Sequence, residues 1–108
     1  GCGPREKVKS GRPAERTRKI AALASAFDVP VGPHTGASAA VAVAASIQWA
    51  AALPNMLTFE YMYPPNPLRE ELLVNPLPTP ANGRMAVPQE PGLGIEVDSA
   101  ALARFRTA

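Results

Sequence analysis

The chain has 108 residues, a formal net charge of +2 and a single cysteine. This length accommodates one small domain rather than two, and one cysteine cannot form an internal disulfide bond. Residues 29–59 carry no Asp, Glu, Lys or Arg, but prolines interrupt them and alanine dominates them. They therefore fall short of the roughly 20 strongly apolar residues that a membrane span requires. The charged start contains no apolar signal region, and we expect a cytoplasmic protein.

The charges divide the chain into two parts. Residues 1–19 contain seven basic and two acidic side chains, a net charge of +5, whereas residues 20–108 contain four basic and seven acidic ones, a net charge of −3. We interpret residues 1–18 as a basic lead-in and residues 19–108 as the folded part. No aromatic residue interleaves these charges, so nucleic-acid binding is not favoured. One alternative function is a non-catalytic binding or interaction module that uses this basic arm, with a partner affinity that falls with salt.

Helical periodicity begins at Pro13, a residue suited to a first turn. One apolar face recurs at the spacing of a helix, at Ile20, Leu23, Ala24 and Phe27. Asp28 and the β-branched residue after it are expected to close this helix.

A short apolar segment without alternation, residues 29–32, is typical of a parallel strand that is covered on both faces. Ser38 is predicted to cap an alanine-rich helix over residues 39–53, which should pack closely between other elements. A second strand is predicted over residues 56–59. A strand, a helix of this length and a strand imply a parallel crossover.

The remaining residues are rich in proline and are predicted to be extended. One helical turn is expected near residues 68–72, and Asn82-Gly83 predicts a tight turn with a returning strand over residues 84–87. Residues 91–94 predict another turn. Asp98 or Ser99 is expected to cap a last helix over residues 100–105.

His34 and Glu60 are the candidate catalytic residues. Each is an ionisable side chain at the C-terminal end of a predicted strand, and in parallel β/α folds those ends line the active-site face. Neighbouring strands lie about 4.8 Å apart, so the two side chains could share one pocket. A base and an acid side by side suit proton transfer. The structural alternatives are a locally bonded loop histidine and a carboxylate that caps a turn.

No other catalytic pattern is present. One histidine, one cysteine and two aspartates cannot provide ligands with the spacing of a metal site, and no serine has the partners of a hydrolase triad. A third interpretation is therefore a stand-alone small enzyme that uses His34 and Glu60 without metal.

Several ordered motifs nevertheless resemble a known family. The C-terminal barrel region of the mandelate racemase/muconate lactonizing enzyme branch of the enolase superfamily is similar to this chain from about residue 19 to residue 106. The resemblance is carried by Pro33-His34, Pro54-Asn55, Phe59-Glu60-Tyr61, Val87-Pro88 and Pro91-Gly-Leu-Gly94.

The resemblance implies an α/β fold, the last part of a TIM-type (β/α)7β barrel with a returning C-terminal tail. It implies an enzyme that binds Mg²⁺, acts on a small carboxylate such as a sugar acid, and assembles as a homo-oligomer. His34 would be the base, or the acid on a leaving hydroxyl, and Glu60 would stabilise the enediolate formed by proton abstraction α to a carboxylate. An acid-sugar dehydratase is preferred over a racemase.

The chain departs from this family pattern at two points. The aspartate that pairs with the histidine should precede residue 19, yet residues 5–13 contain no Asp. The carboxylate metal ligands and the lysine of earlier strands are also absent. We therefore expect a C-terminal fragment that is inactive and marginally stable by itself.

Overall fold

The structure, a computed structural model, describes residues 13–107, in which extended segments connect four helices. Each predicted helix is confirmed, although its bounds differ by a few residues. The part of the basic lead-in before Pro13 lies outside the described residues. No helix in residues 13–107 is long and apolar enough to span a membrane. The four helices are α1 (Pro13–Ala26), α2 (Ala40–Ala51), α3 (Pro67–Glu70) and α4 (Ser99–Arg104).

The end of α1 has the hydrogen bonds of a Schellman motif. The Val29 N–H donates to the Ala24 carbonyl at 2.9 Å, and the Asp28 N–H donates to the Ser25 carbonyl at 3.1 Å. Asp28 has a φ of 54°, the left-handed conformation that this motif requires. The predicted closure of the helix at Asp28 is therefore confirmed.

Two parallel segments flank α2, as predicted, but they are not the two full strands that we expected. They share one bridge, between Val31 and Met56. The Val31 N–H donates to the Asn55 carbonyl and the Leu57 N–H to the Val31 carbonyl, both at 2.8 Å. The prolines of residues 29–33 have no N–H to donate, and among residues 13–107 no further segment bridges to either one. Strands of the predicted length would need a further neighbouring segment with which to form hydrogen bonds.

The start of α2 also corrects a prediction. Ala39 is the N-cap residue and makes no side-chain hydrogen bond, so Ser38 is not the cap. The Ser38 hydroxyl instead donates to the Thr35 carbonyl, one turn earlier in the chain. The helix buries one face, formed by Ala40, Val43, Ala44, Ile47 and Ala50. Val41 is 41% exposed, so in the described residues α2 is covered on one side rather than all round.

The main hydrophobic cluster joins the start of α2 to the C-terminal tail. Its buried members are Ala40, Leu72 and Leu73. An antiparallel bridge between Leu73 and Val97 brings the tail beside this cluster. Asp98 caps α4 through its carboxylate, which accepts from two backbone N–H groups of the first turn. The predicted cap is therefore confirmed.

Two backbone turns shape the tail where the sequence predicts them. Asn82 and Gly83 have φ values of 53° and 70°, and Ala81 and Arg84 exchange two hydrogen bonds across the turn, at 2.8 and 2.9 Å. The predicted strand over residues 84–87 is wrong, because pairing ends at this bridge, next to a proline that lacks an N–H. Residues 91–94 form the second turn, closed by the Gly94 N–H on the Pro91 carbonyl at 3.3 Å.

Candidate active site

His34 and Glu60 lie directly after the two parallel segments and contact each other. The contact joins Nδ1 of His34 to Oε2 of Glu60. The His34 side chain is 79% exposed and the Glu60 side chain 38% exposed, so the pair lies at an open surface of the described chain. The Oε2 atom itself is shielded from solvent and, apart from this close contact with Nδ1, has no hydrogen-bond partner among residues 13–107. The structure thus brings together the two side chains that the sequence singles out.

The backbone of Glu60 is held on both sides by the loop that carries His34. Its N–H donates to the Pro33 carbonyl at 3.2 Å, and its carbonyl accepts from the Thr35 hydroxyl at 2.9 Å. Thr35 is only 6% exposed. These two hydrogen bonds tie the residues on either side of His34 to the residue that His34 contacts.

The arrangement suits an acid–base pair. A carboxylate that accepts from the Nδ1–H of a neutral imidazole leaves the lone pair on Nε2, and this nitrogen can then take a proton from a substrate. A protonated carboxyl in the same place can donate a hydrogen bond to a developing oxyanion. The pair can therefore offer a base at the imidazole and a hydrogen-bond donor at the protonated carboxyl.

The segment after Glu60 folds back against the start of α2. The amide of Asn66 donates to the carbonyls of Ala37 and Ser38, at 3.3 and 3.4 Å, and its side-chain oxygen caps α3. These contacts hold Asn66 and the start of α3 against the residues that lead from His34 into α2.

Arg69 is the charged residue that sequence reasoning missed. It is 4% exposed, its guanidinium lies 5.1 Å from the centre of the Tyr61 ring, and it donates to the Pro64 carbonyl at 2.8 Å. Nothing in the spacing of Arg69 distinguishes it from a solvent-exposed arginine. Asn66-Pro67, in contrast, is a recognisable helix start that could have been found, since Asn favours the cap and Pro the first turn.

The described residues do not fit a metal site. Across residues 13–107, no group of three or more His, Cys, Asp or Glu side chains could hold a metal ion. His34 and Glu60 by themselves are two potential ligands that already contact each other. The metal ligands that the family resemblance implies are therefore not supplied by this part of the chain.

Comparison with known proteins defines the class. Residues 14–101 match the Enolase C-terminal domain-like family, so the chain belongs to that family. This membership confirms the resemblance drawn from the motifs around His34 and Glu60. No solved structure gives a significant match.

Three of the curated relatives are named for carbohydrate acids or their lactone. A D-galactonate dehydratase family member from Streptomyces bingchenggensis is 41% identical over 90 residues, which are 82% of this chain and 21% of the relative. A D-xylonate dehydratase from Haloferax volcanii is 41% identical over 87 residues, 76% of this chain and 19% of the relative. A D-galactarolactone cycloisomerase from Agrobacterium fabrum is 33% identical over 114 residues, which cover 98% of this chain and 27% of the relative.

The chain therefore spans about a fifth to a quarter of the length of the relatives it matches. Its α/β fold is that of an enolase C-terminal domain, and residues 13–107 do not form a complete barrel.

Proposed function

We propose that this chain is the C-terminal part of a longer acid-sugar dehydratase, in which His34 and Glu60 form one side of the active site. The contact between these side chains, at the ends of two parallel segments, carries the proposal. The names of the two relatives at 41% identity support dehydration over racemisation, and the cycloisomerase at 33% identity indicates that the same scaffold is used for related chemistry.

In the proposed reaction, the neutral imidazole of His34 takes the proton α to the substrate carboxylate. Glu60, in its protonated form, donates a hydrogen bond to an oxygen of the enediolate that results. The imidazolium of His34 then gives its proton to the leaving β-hydroxyl, which departs as water. The remaining enol tautomerises to a 2-keto-3-deoxy acid, so the proton that His34 accepts is the proton that it returns.

Mg²⁺ is expected in the longer protein, where it would supply positive charge near the substrate carboxylate. Its ligands would come from the part of the protein that precedes these residues, since no group within residues 13–107 fits a metal. The residues described here would therefore contribute the proton transfer and not the metal binding.

The exposed face of α1 supports the fragment proposal. Ile20, Leu23 and Phe27 are 57%, 65% and 74% exposed, although they lie on one apolar helix face. Large apolar side chains in such a stripe normally pack against another element. In the proposed longer enzyme, the preceding barrel elements would cover this face and pair with the open edges beside Val31 and Met56.

The longer protein that carries this segment tests the proposal. With Mg²⁺ and a panel of sugar acids, we expect dehydration of at least one acid to its 2-keto-3-deoxy product. His34→Asn should lower kcat by about 10²- to 10⁴-fold, the usual contribution of a positioned acid or base. Steady-state assay of product formation measures this loss.

The controls are carboxylate variants. Glu60→Gln should also lower kcat, whereas Glu90→Gln changes an exposed tail carboxylate and should leave it unchanged. Full turnover in the His34→Asn protein would show that His34 is not the base. Absence of turnover on every acid of the panel would count against the dehydratase assignment.

A further inference from the structure

We infer that Thr35 is a positioning residue of this site: its buried hydroxyl holds the backbone of Glu60 so that the Glu60 carboxyl meets His34. The inference rests on the proposed function, because it assigns Thr35 a part in the action of the His34–Glu60 pair. Thr35 acts through Glu60 and has no direct role in proton transfer.

The hydroxyl of Thr35 makes a specific contact between two distant segments. Thr35 is 6% exposed, and among the described residues only one other polar side chain, that of Arg69, is buried. Its Oγ1 donates to the Glu60 carbonyl at 2.9 Å, across 25 positions of sequence. A buried hydroxyl normally requires a partner, and here that partner is the backbone of a candidate catalytic residue.

This contact completes a two-point attachment. The N–H of Glu60 donates to the Pro33 carbonyl at 3.2 Å, and the carbonyl of Glu60 accepts from Thr35. Because both backbone groups of Glu60 are bonded to residues adjacent to His34, the Cα–Cβ bond of Glu60 is oriented relative to the loop that carries the imidazole. Removal of the Thr35 hydroxyl would leave one attachment, about which the peptide can rotate.

The position of Thr35 is set in turn by the start of α2. Its carbonyl accepts from the Ser38 N–H at 3.3 Å and from the Ser38 hydroxyl. Ala40, which follows in the first turn of α2, is fully buried. The turn between Thr35 and Ser38, which leads into the buried start of α2, therefore holds Thr35 in place, its hydroxyl bonds the backbone of Glu60, and Glu60 contacts His34.

The test compares Thr35→Val with Thr35→Ser in the longer protein. Valine keeps the shape of threonine but removes the donor, and serine keeps the donor. Since small displacements of a catalytic group reduce turnover sharply, we expect Thr35→Val to lower kcat by about tenfold or more, with KM little changed. Thr35→Ser should restore most of kcat. Exchange of the substrate α-proton in D₂O, followed by NMR, should slow in parallel with kcat.

Ser46→Ala is the matched control. The Ser46 hydroxyl also donates to a backbone carbonyl at 2.9 Å, that of Ala42 within α2, but it does not contact Glu60. Its removal should leave both kcat and the exchange rate unchanged. If Thr35→Val does not fold, Thr35→Cys replaces it, because a thiol is a weaker donor of similar size and should lower kcat to a smaller extent.

Two results would overturn the inference. The first is wild-type kcat in folded Thr35→Val or Thr35→Cys protein, and the second is an equal loss in Thr35→Ser and Thr35→Val. Both results are interpreted only if the wild-type protein is active and the His34→Asn substitution abolishes that activity. A failure of the proposed function appears differently, as an inactive wild type or an active His34→Asn protein.

Discussion

Two apolar regions of this molecule differ in how much of their surface is buried. The tail side is formed by Leu72, Leu73 and the residues packed on them, and the α1 side by Ile20, Leu23 and Phe27. On the tail side, Leu72 and Leu73 are each 6% exposed, packed with the start of α2. On the α1 side, Leu23 and Phe27 are 65% and 74% exposed. Both sides carry large apolar side chains, so composition does not explain the difference. Within residues 13–107, Leu72 and Leu73 find packing partners, whereas Leu23 and Phe27 do not, although Ala21 on another face of α1 is buried.

The difference indicates which contacts the chain makes by itself and which it leaves to other elements. The tail returns through the Leu73–Val97 bridge and covers its own cluster. Within residues 13–107, the large apolar side chains of α1 and Met56 remain exposed, and under the proposed function earlier barrel elements would cover them. His34 and Glu60 lie at the ends of these parallel segments, so the contact between the two proposed catalytic side chains forms within the described residues.

The largest expected effect is on the tail side. Leu73→Ala would create a cavity at a cost of about 2–5 kcal/mol, which is comparable to the whole stability of a small domain. We therefore expect this variant of the chain to lose its helical signal in far-UV circular dichroism.

Leu23→Ala is the matched change on the α1 side. Its side chain is already largely exposed, so the free energy of unfolding of the chain should change by less than about 0.5 kcal/mol. If Leu23→Ala weakened the far-UV circular dichroism signal as much as Leu73→Ala does, the distinction between the sides would be removed.

A second pair of substitutions tests how tightly the tail is packed. Gly94 has a φ of 76°, and an added Cβ would lie 2.5 Å from Pro88 Cβ. Gly83 has a φ of 70° but no atom within 4 Å of such a Cβ. Gly83→Ala should therefore cost only the left-handed backbone penalty, about 1–2 kcal/mol, and Gly94→Ala should cost more. Comparison of their urea midpoints measures the difference.

A smaller effect than those of Leu73→Ala and the two glycine substitutions is expected at the cap of α4. The Asp98 carboxylate accepts from the N–H groups of Ala100 and Ala101, at 2.9 and 3.3 Å. Asp98→Ala should lower the free energy of unfolding by about 1 kcal/mol, and Ser99→Ala, at the next position, should have little effect. If Ser99→Ala lowered the urea midpoint more than Asp98→Ala does, Ser99 rather than Asp98 would provide the cap.

The helices and turns could be predicted because their signals are local. Asp28 at the end of α1, Asn82-Gly83 in the tail and Asp98 before α4 act within one turn of the chain, and the structure confirms each one. The strand lengths could not be predicted in the same way, since the pairing of Val31 and Met56 depends on neighbours outside the segment.

The candidate pair could also be predicted, because a single ionisable residue follows each parallel segment. Thr35 and Arg69 could not. The role of the Thr35 hydroxyl is visible only in the fold, which brings the Glu60 carbonyl oxygen within 2.9 Å of it. The burial of Arg69 likewise depends on how residues 61–70 fold back. Both are properties of tertiary packing that spacing alone does not reveal.

The most direct test of the account is amide hydrogen exchange at α1, measured by mass spectrometry in this chain and in the longer protein that carries it. We predict rapid exchange across residues 13–26 in the isolated chain, where the apolar face is open, and strong protection in the longer protein, where barrel elements cover it. The same protection of α1 in both proteins would contradict the account.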